Sequence, residues 1–221
     1  MIEANESVPV SAVIFDMDGV IVDSEPYSMQ ALIDTLRLYG IEPTEEDIRR
    51  SYGRRIRDDF LDYFARYGVT ADVNMAIAHK EARYYHLAAG HLHPFPGVMP
   101  LLTHLRERGY RLALASSGDR VKVAFGIQAL QLNGTFEVII SGSDVTHSKP
   151  DPEIYLTAAQ RLGVPPVQCV AIEDAPAGIE AAKCAGMRCI AVTNSVPGDQ
   201  LQRADVIVAA LTADLSPVLP H

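Results

Sequence analysis

No apolar run in this 221-residue chain approaches the roughly 18 residues that a membrane span requires, so nothing in it reads as a bilayer crossing. Cysteine is scarce. Cys169, Cys184 and Cys189 are the whole set, an odd number without CxxC spacing, which argues against both a disulfide framework and a zinc site. Basic charge is in deficit as well: 19 Lys and Arg against 28 Asp and Glu leave a net charge of −9 at pH 7. Nucleic acid and anionic membranes ask for a basic face and are excluded as expected partners. An anionic substrate must therefore meet a local positive site. Met1 to Pro9 carries Glu3 and Glu6 where a signal peptide would have a basic region, so a cytoplasmic location is expected.

What is present suits an ordinary folded protein. A chain of this length buries a full core, as one sizeable domain or as a core with a smaller insertion, and a monomer is the expected state. Apolar, β-branched runs recur at Val10 to Phe15, Leu112 to Ala115, Val138 to Ile140, Cys169 to Ile172, Cys189 to Val192 and Val206 to Val208. Helical stretches separate most of them, including Pro152 to Leu162 ended by Gly163 and Ala175 to Ala185 ended by Gly186. Strands alternating with helices predict an α/β fold with a doubly wound parallel sheet. Between Ser24 and about His93 the strand pattern disappears, and Met29, Leu32, Ile33, Leu36 and Leu38 fall mostly at helical spacing. The reading is an α/β core of residues 1–23 and 94–221 with an all-helical insertion at 24–93. Hinges are expected near Val22 to Pro26 and Leu92 to Gly97.

In an open parallel sheet, ligands sit beyond the carboxyl ends of the strands, so the residues just after the apolar runs are the ones to inspect. Asp16 and Asp18 follow the first run, with Gly19 permitting close backbone approach to a ligand. Ser116 and Ser117 follow the second, where a strand-to-helix turn offers hydroxyls and N–H groups to a phosphate. Glu173 and Asp174 follow a later one. Two like charges about 4 Å apart repel by roughly 4 kcal/mol at an effective dielectric near 20. A cluster of these carboxylates thus asks for a cation, and oxygen-only ligands favour Mg²⁺. Lys149, before Pro150, adds a positive charge on a defined loop.

Taken together, Asp16-Met17-Asp18-Gly19-Val20, Ser116, Lys149-Pro150 and Ile172-Glu173-Asp174-Ala175 with Gly178 resemble the haloacid dehalogenase-like hydrolases. The similarity is to the branch that holds small sugar-phosphate phosphatases and β-phosphoglucomutase. The resemblance implies a phosphatase with a Rossmann-like core and a helical cap that closes over a small phosphorylated metabolite. It implies that Asp16 attacks phosphorus to give an aspartyl phosphate, and that Asp18 protonates the leaving oxygen and then deprotonates water. Ser116, Ser117 and Lys149 would hold the phosphate. Asp16, the backbone carbonyl of Asp18 and Asp174 would hold Mg²⁺, with Glu173 close behind. Cap selectivity is assigned to Tyr52-Gly53-Arg54-Arg55, with Arg54 and Arg55 as substrate-binding residues.

Plainer readings exist for each residue alone. Asp16 and Asp18 can cap a helix, Ser116 can be a turn serine and Lys149 a solvated charge. Glu173 and Asp174 can cap the helix that begins near Ala175, and Arg54, Arg55 and Arg57 can be a solvated helix end. His79, His86, His91, His93, His104 and His147 show no partner pattern that demands a metal. Among activities, phosphosugar mutase chemistry is the alternative. In the resembling mutases a histidine lies shortly after the first motif, where this chain reads Tyr27-Ser28-Met29, which favours hydrolysis. Dehalogenation would use the nucleophile without the metal set, and a non-catalytic binding module would not need every motif position filled.

Overall fold

A computed structural model of the chain describes residues 9–51 and 56–211. They divide into two compact units, one formed by the residues up to Asp23 together with those from His93 onward, the other by Ser24–Leu92.

The first unit is built on six parallel strands: β1 (Ala12–Phe15), β2 (Arg111–Ala115), β3 (Val138–Ile140), β4 (Cys169–Glu173), β5 (Arg188–Val192) and β6 (Val206–Val208). Their order across the sheet is β3-β2-β1-β4-β5-β6. All six expected strands are present, shifted by at most two residues at their ends. The chain runs outward from β1 to β3 and then returns to the other side of β1, so β1 and β4 flank the point where the order reverses. In doubly wound sheets that point opens a crevice at the carboxyl ends of the strands.

Burial on both faces explains why these strands are continuous apolar runs. Every side chain of β1 and β4 is buried. Ala12, Ile14, Ala113, Ala115, Ala171, Cys189 and Ala191 form one face, which packs on Ile154, Tyr155, Ala158, Leu162, Ile179 and Ala182. Alanine dominates that face and lets the helices approach closely. The helices concerned are Glu153–Leu162 and Pro176–Cys184. The first ends at Gly163 in the left-handed region, as its sequence predicts.

The second unit contains four helices, Glu25–Leu38, Glu45–Ser51, Ile56–Tyr67 and Val73–Ala88, and no strand among its described residues. Leu32, Leu36, Ile41, Phe60, Tyr63, Phe64 and Ala76 form its core, while Leu38 points to solvent. Asp47 is its polar hub. Tyr67 and Arg66 hydrogen-bond its carboxylate, as do the backbone and hydroxyl of Thr44, and together they hold it well below the usual carboxylate range.

The two segments that connect to the insertion pair with each other inside the first unit: Val22 bridges Pro94, and the Phe95 N–H donates to the Ile21 carbonyl at 2.9 Å. No helix among the described residues is long and apolar enough to cross a membrane.

Candidate active site

The strand ends at the switch point converge. Asp16 follows β1 directly, and its N–H donates to the Ile172 carbonyl at 3.0 Å, which continues the β1–β4 ladder past the last paired residue. Asp174 follows β4. One oxygen from each of Asp16, Glu173 and Asp174 lies within 4.8 Å of the others, and all three residues are buried. Lys149 stands in the middle. Its Nζ donates to Asp16 Oδ1 at 2.5 Å, to Glu173 Oε1 at 2.6 Å and to the Ala115 carbonyl at 3.1 Å. The solvated surface lysine that Lys149 would be in isolation is thus replaced by a side chain only 7% exposed.

Glu173 is fully engaged by protein. Oε1 also accepts from the Tyr155 hydroxyl at 2.6 Å, and Oε2 accepts from the Asp174 N–H at 3.2 Å. It holds the lysine from behind, while Asp16 and Asp174 are the carboxylates with oxygens left for a metal. Glycine makes this arrangement possible at two points. A Cβ on Gly178 would collide with the Glu173 carboxylate, and one on Gly19 would collide with Asp174 and Ser195. Gly19, whose φ is +78°, is therefore required by the packing of its own protein.

Electrostatics show what the cluster lacks. Burial, opposed by Lys149 and reinforced by Glu173 and Asp174, pushes the Asp16 carboxyl well above its ordinary value. Burial and then the Glu173 charge push Asp174 up to about 7. Burial works to lower Lys149, but Asp16 and Glu173 carry it above its ordinary range, so it stays charged. One cation facing three buried carboxylates leaves a deficit that a divalent ion can fill. An all-oxygen donor set with two accessible carboxylates suits a hard ion.

A stability measurement follows. An acid whose pKa is raised on folding contributes stability below its unfolded value, and loses that contribution as pH rises through its folded value. For Asp174 that window runs from its ordinary 3.8 to about 7. A bound cation replaces the proton. The rise in melting temperature caused by saturating MgCl₂ over EDTA should therefore be small near about pH 5 and grow toward about pH 8. A gain that shrinks with rising pH would contradict the charge deficit.

The remaining expected residues separate. Ser116 is buried beside the cluster, and its Oγ accepts from the Gly118 N–H at 3.1 Å. Ser117 is exposed. The following helix, Arg120–Ala129, is capped by Asp119, whose Oδ1 accepts from the Lys122 N–H at 2.7 Å. Part of the donor set expected to be free for phosphate is thus used internally. Asp18 stands apart from the three-carboxylate group, and its Oδ2 accepts from Lys122 Nζ at 2.8 Å. Arg54, Arg55 and the rest of the Tyr52-Gly53-Arg54-Arg55 segment lie outside the described residues. His147, whose sequence context shows no partner pattern that demands a metal, has Nδ1 2.9 Å from Glu153 Oε2 on the exposed surface.

Four contributors were not singled out in the sequence. Ser195 donates its hydroxyl to Asp174 Oδ2, and Asn194 Nδ2 donates to the Gly19 carbonyl at 2.8 Å. Both follow β5, so inspecting every strand end would have found them. Tyr155 and Lys122 lie inside helices and carry no such signal.

The haloacid dehalogenase-like hydrolase family matches residues 13–192. The chain is 39% identical over 193 residues to Protein SUPPRESSOR OF QUENCHING 1, chloroplastic, of Arabidopsis thaliana; the match covers 85% of this chain but 18% of that much longer protein. It is 33% identical over 201 residues to validoxylamine A 7'-phosphate phosphatase of Streptomyces hygroscopicus subsp. limoneus, covering 90% and 93% of the two chains. Among solved structures, β-phosphoglucomutase from Clostridium difficile superposes with a TM-score of 0.76 at 26% identity, covering 93% of each chain.

Proposed function

Because the chain belongs to the haloacid dehalogenase-like hydrolases and is a phosphatase of that family, we propose that it hydrolyses a small phosphorylated metabolite, a sugar phosphate, through a phosphorylated Asp16 with Mg²⁺ bound. The observation that carries the reading is Lys149 held between Asp16 and Glu173, with Asp174 alongside, at the switch point of the sheet.

In the proposed reaction an Asp16 carboxylate oxygen bonds to phosphorus and the phosphorus–ester oxygen bond breaks. The Asp18 carboxyl gives its proton to the departing oxygen. Water then attacks phosphorus, its proton passes to Asp18, the bond to Asp16 breaks, and inorganic phosphate leaves. Splitting one displacement into two lowers each barrier. Lys149 keeps Asp16 oriented, and Ser116 and Ser117 edge the phosphate. Asp16, Asp174 and the Asp18 carbonyl, with Glu173 behind, would hold Mg²⁺, which when bound would offset negative charge on the phosphoryl group. Arg54 and Arg55 belong to the same proposal as substrate contacts, because their loop joins a glycine to cations able to meet a polar substrate, and so do leaving-group selection by the helical unit and a cytoplasmic location.

Hydrolysis is preferred to a mutase cycle because no histidine stands at Tyr27-Ser28-Met29; the Ser28 hydroxyl there accepts from Lys80 Nζ at 2.8 Å. The test is phosphate release from a panel of sugar and small-acid phosphates with MgCl₂ or EDTA. Release from at least one ester, abolished by EDTA, is expected. A panel without release, or hexose 1- and 6-phosphate interconversion without phosphate loss, would overturn the reading.

A further inference from the structure

Lys122 belongs to none of the motifs that define the site, yet its Nζ lies 2.8 Å from Asp18 Oδ2. Three features of the helix Arg120–Ala129 bring it there. Asp119 caps the helix and fixes its first turn through the Lys122 N–H. Gly126 seats the Met17 side chain: a Cβ at that position would collide with Met17 Cε, so the helix is docked directly on the turn that carries Asp16 and Asp18. Lys122 lies four residues before Gly126 and so one turn along the same helical face. Its stem crosses Gly118, where a Cβ would come within 3.3 Å of Lys122 Cδ. Glycine at 118 leaves room for the lysine to reach across the turn.

We propose that Lys122 is a positioning residue for Asp18, holding the carboxylate of the acid–base group in one orientation above the nucleophile. The proposal rests on the hydrolase reading above. The lysine and aspartate side chains are 30% and 34% exposed, and an ion pair so accessible adds little to folding stability. Losing it should register in proton transfer rather than in folding. A poor leaving group needs Asp18 to protonate it, whereas 2,4-dinitrophenolate departs without a proton, so only the later attack of water then depends on Asp18.

The experiment compares wild type, Lys122→Met and Lys122→Arg on phenyl phosphate and on 2,4-dinitrophenyl phosphate, in steady state and by stopped flow with Mg²⁺. For Lys122→Met, kcat on phenyl phosphate should fall about tenfold with KM changed less than about twofold. With 2,4-dinitrophenyl phosphate the burst of phenolate should keep its wild-type rate while the turnover that follows slows about tenfold. Lys122→Arg should recover at least about a third of the lost kcat by restoring the charge. The proposal is overturned if Lys122→Met leaves phenyl phosphate turnover unchanged, slows the burst as much as the turnover, or is not rescued by arginine. Failure of the wild-type protein to release phosphate from these esters and from every member of the sugar and small-acid phosphate panel would instead remove the hydrolase reading itself.

Discussion

Asp16→Asn protein should release phosphate on the order of 10⁴-fold or more slowly than wild type, since an amide oxygen cannot take over the attack on phosphorus. The substitution keeps the volume of the side chain and an oxygen to accept from Lys149, so geometry survives. It also removes a buried charge that its surroundings disfavour, for burial, Glu173 and Asp174 all raise the Asp16 carboxyl. In EDTA at about pH 8 the melting temperature should hold or rise, because a carboxylate with a raised pKa costs stability where it is ionised. Loss of activity with stability retained separates chemistry from misfolding. Phosphate release above about 1% of wild type would sink the assignment of Asp16 as nucleophile.

Lys149→Met should damage both activity and stability. Methionine matches the length of the lysine stem but leaves Asp16 and Glu173 facing each other without their shared cation, and the Ala115 carbonyl without its donor. Removing one partner of a buried ion pair typically costs about 3–5 kcal/mol, which for a chain of this size lowers the melting temperature by roughly 10 °C. Activity should fall about 10³-fold or more, because in the proposed reaction Asp16 loses the group that orients it and the phosphate loses a cation that would hold it. The stability loss has a pH signature. Carboxylates left without the lysine can take up protons, so the gap to wild type should narrow as pH falls from about 8 to about 5.5. A melting temperature unchanged at pH 8 would show that Lys149 does not hold the cluster together.

Much of the core was legible because burial on both faces leaves a direct trace in sequence. The strand Ala12–Phe15 had to be apolar throughout, and its end at Asp16 marked the carboxyl edge of the sheet. Glycines were legible for a similar reason: Gly163 ends its helix in a conformation other residues adopt at a cost. Gly19 was legible as a point of close backbone approach, and the structure shows Asp174 and Ser195 packed against it. Which carboxylates share a pocket could be guessed from strand ends, but their division of labour could not. Glu173 and Asp174 are adjacent in sequence, and only packing directs one toward Lys149 and Tyr155 and the other toward Ser195.

By itself the sequence determined the alternation of strands and helices, the helical insertion and the acids at the strand tips, because periodicity and abrupt changes of polarity are local properties. The tertiary structure decided the rest: Lys149 buried against Asp16, the raised Asp174 carboxyl, Lys122 laid across Gly118 to reach Asp18. Two of those relations join residues more than a hundred positions apart, 133 between Lys149 and Asp16 and 104 between Lys122 and Asp18. Charge and desolvation energies depend on distance through space, which no local pattern of residues encodes.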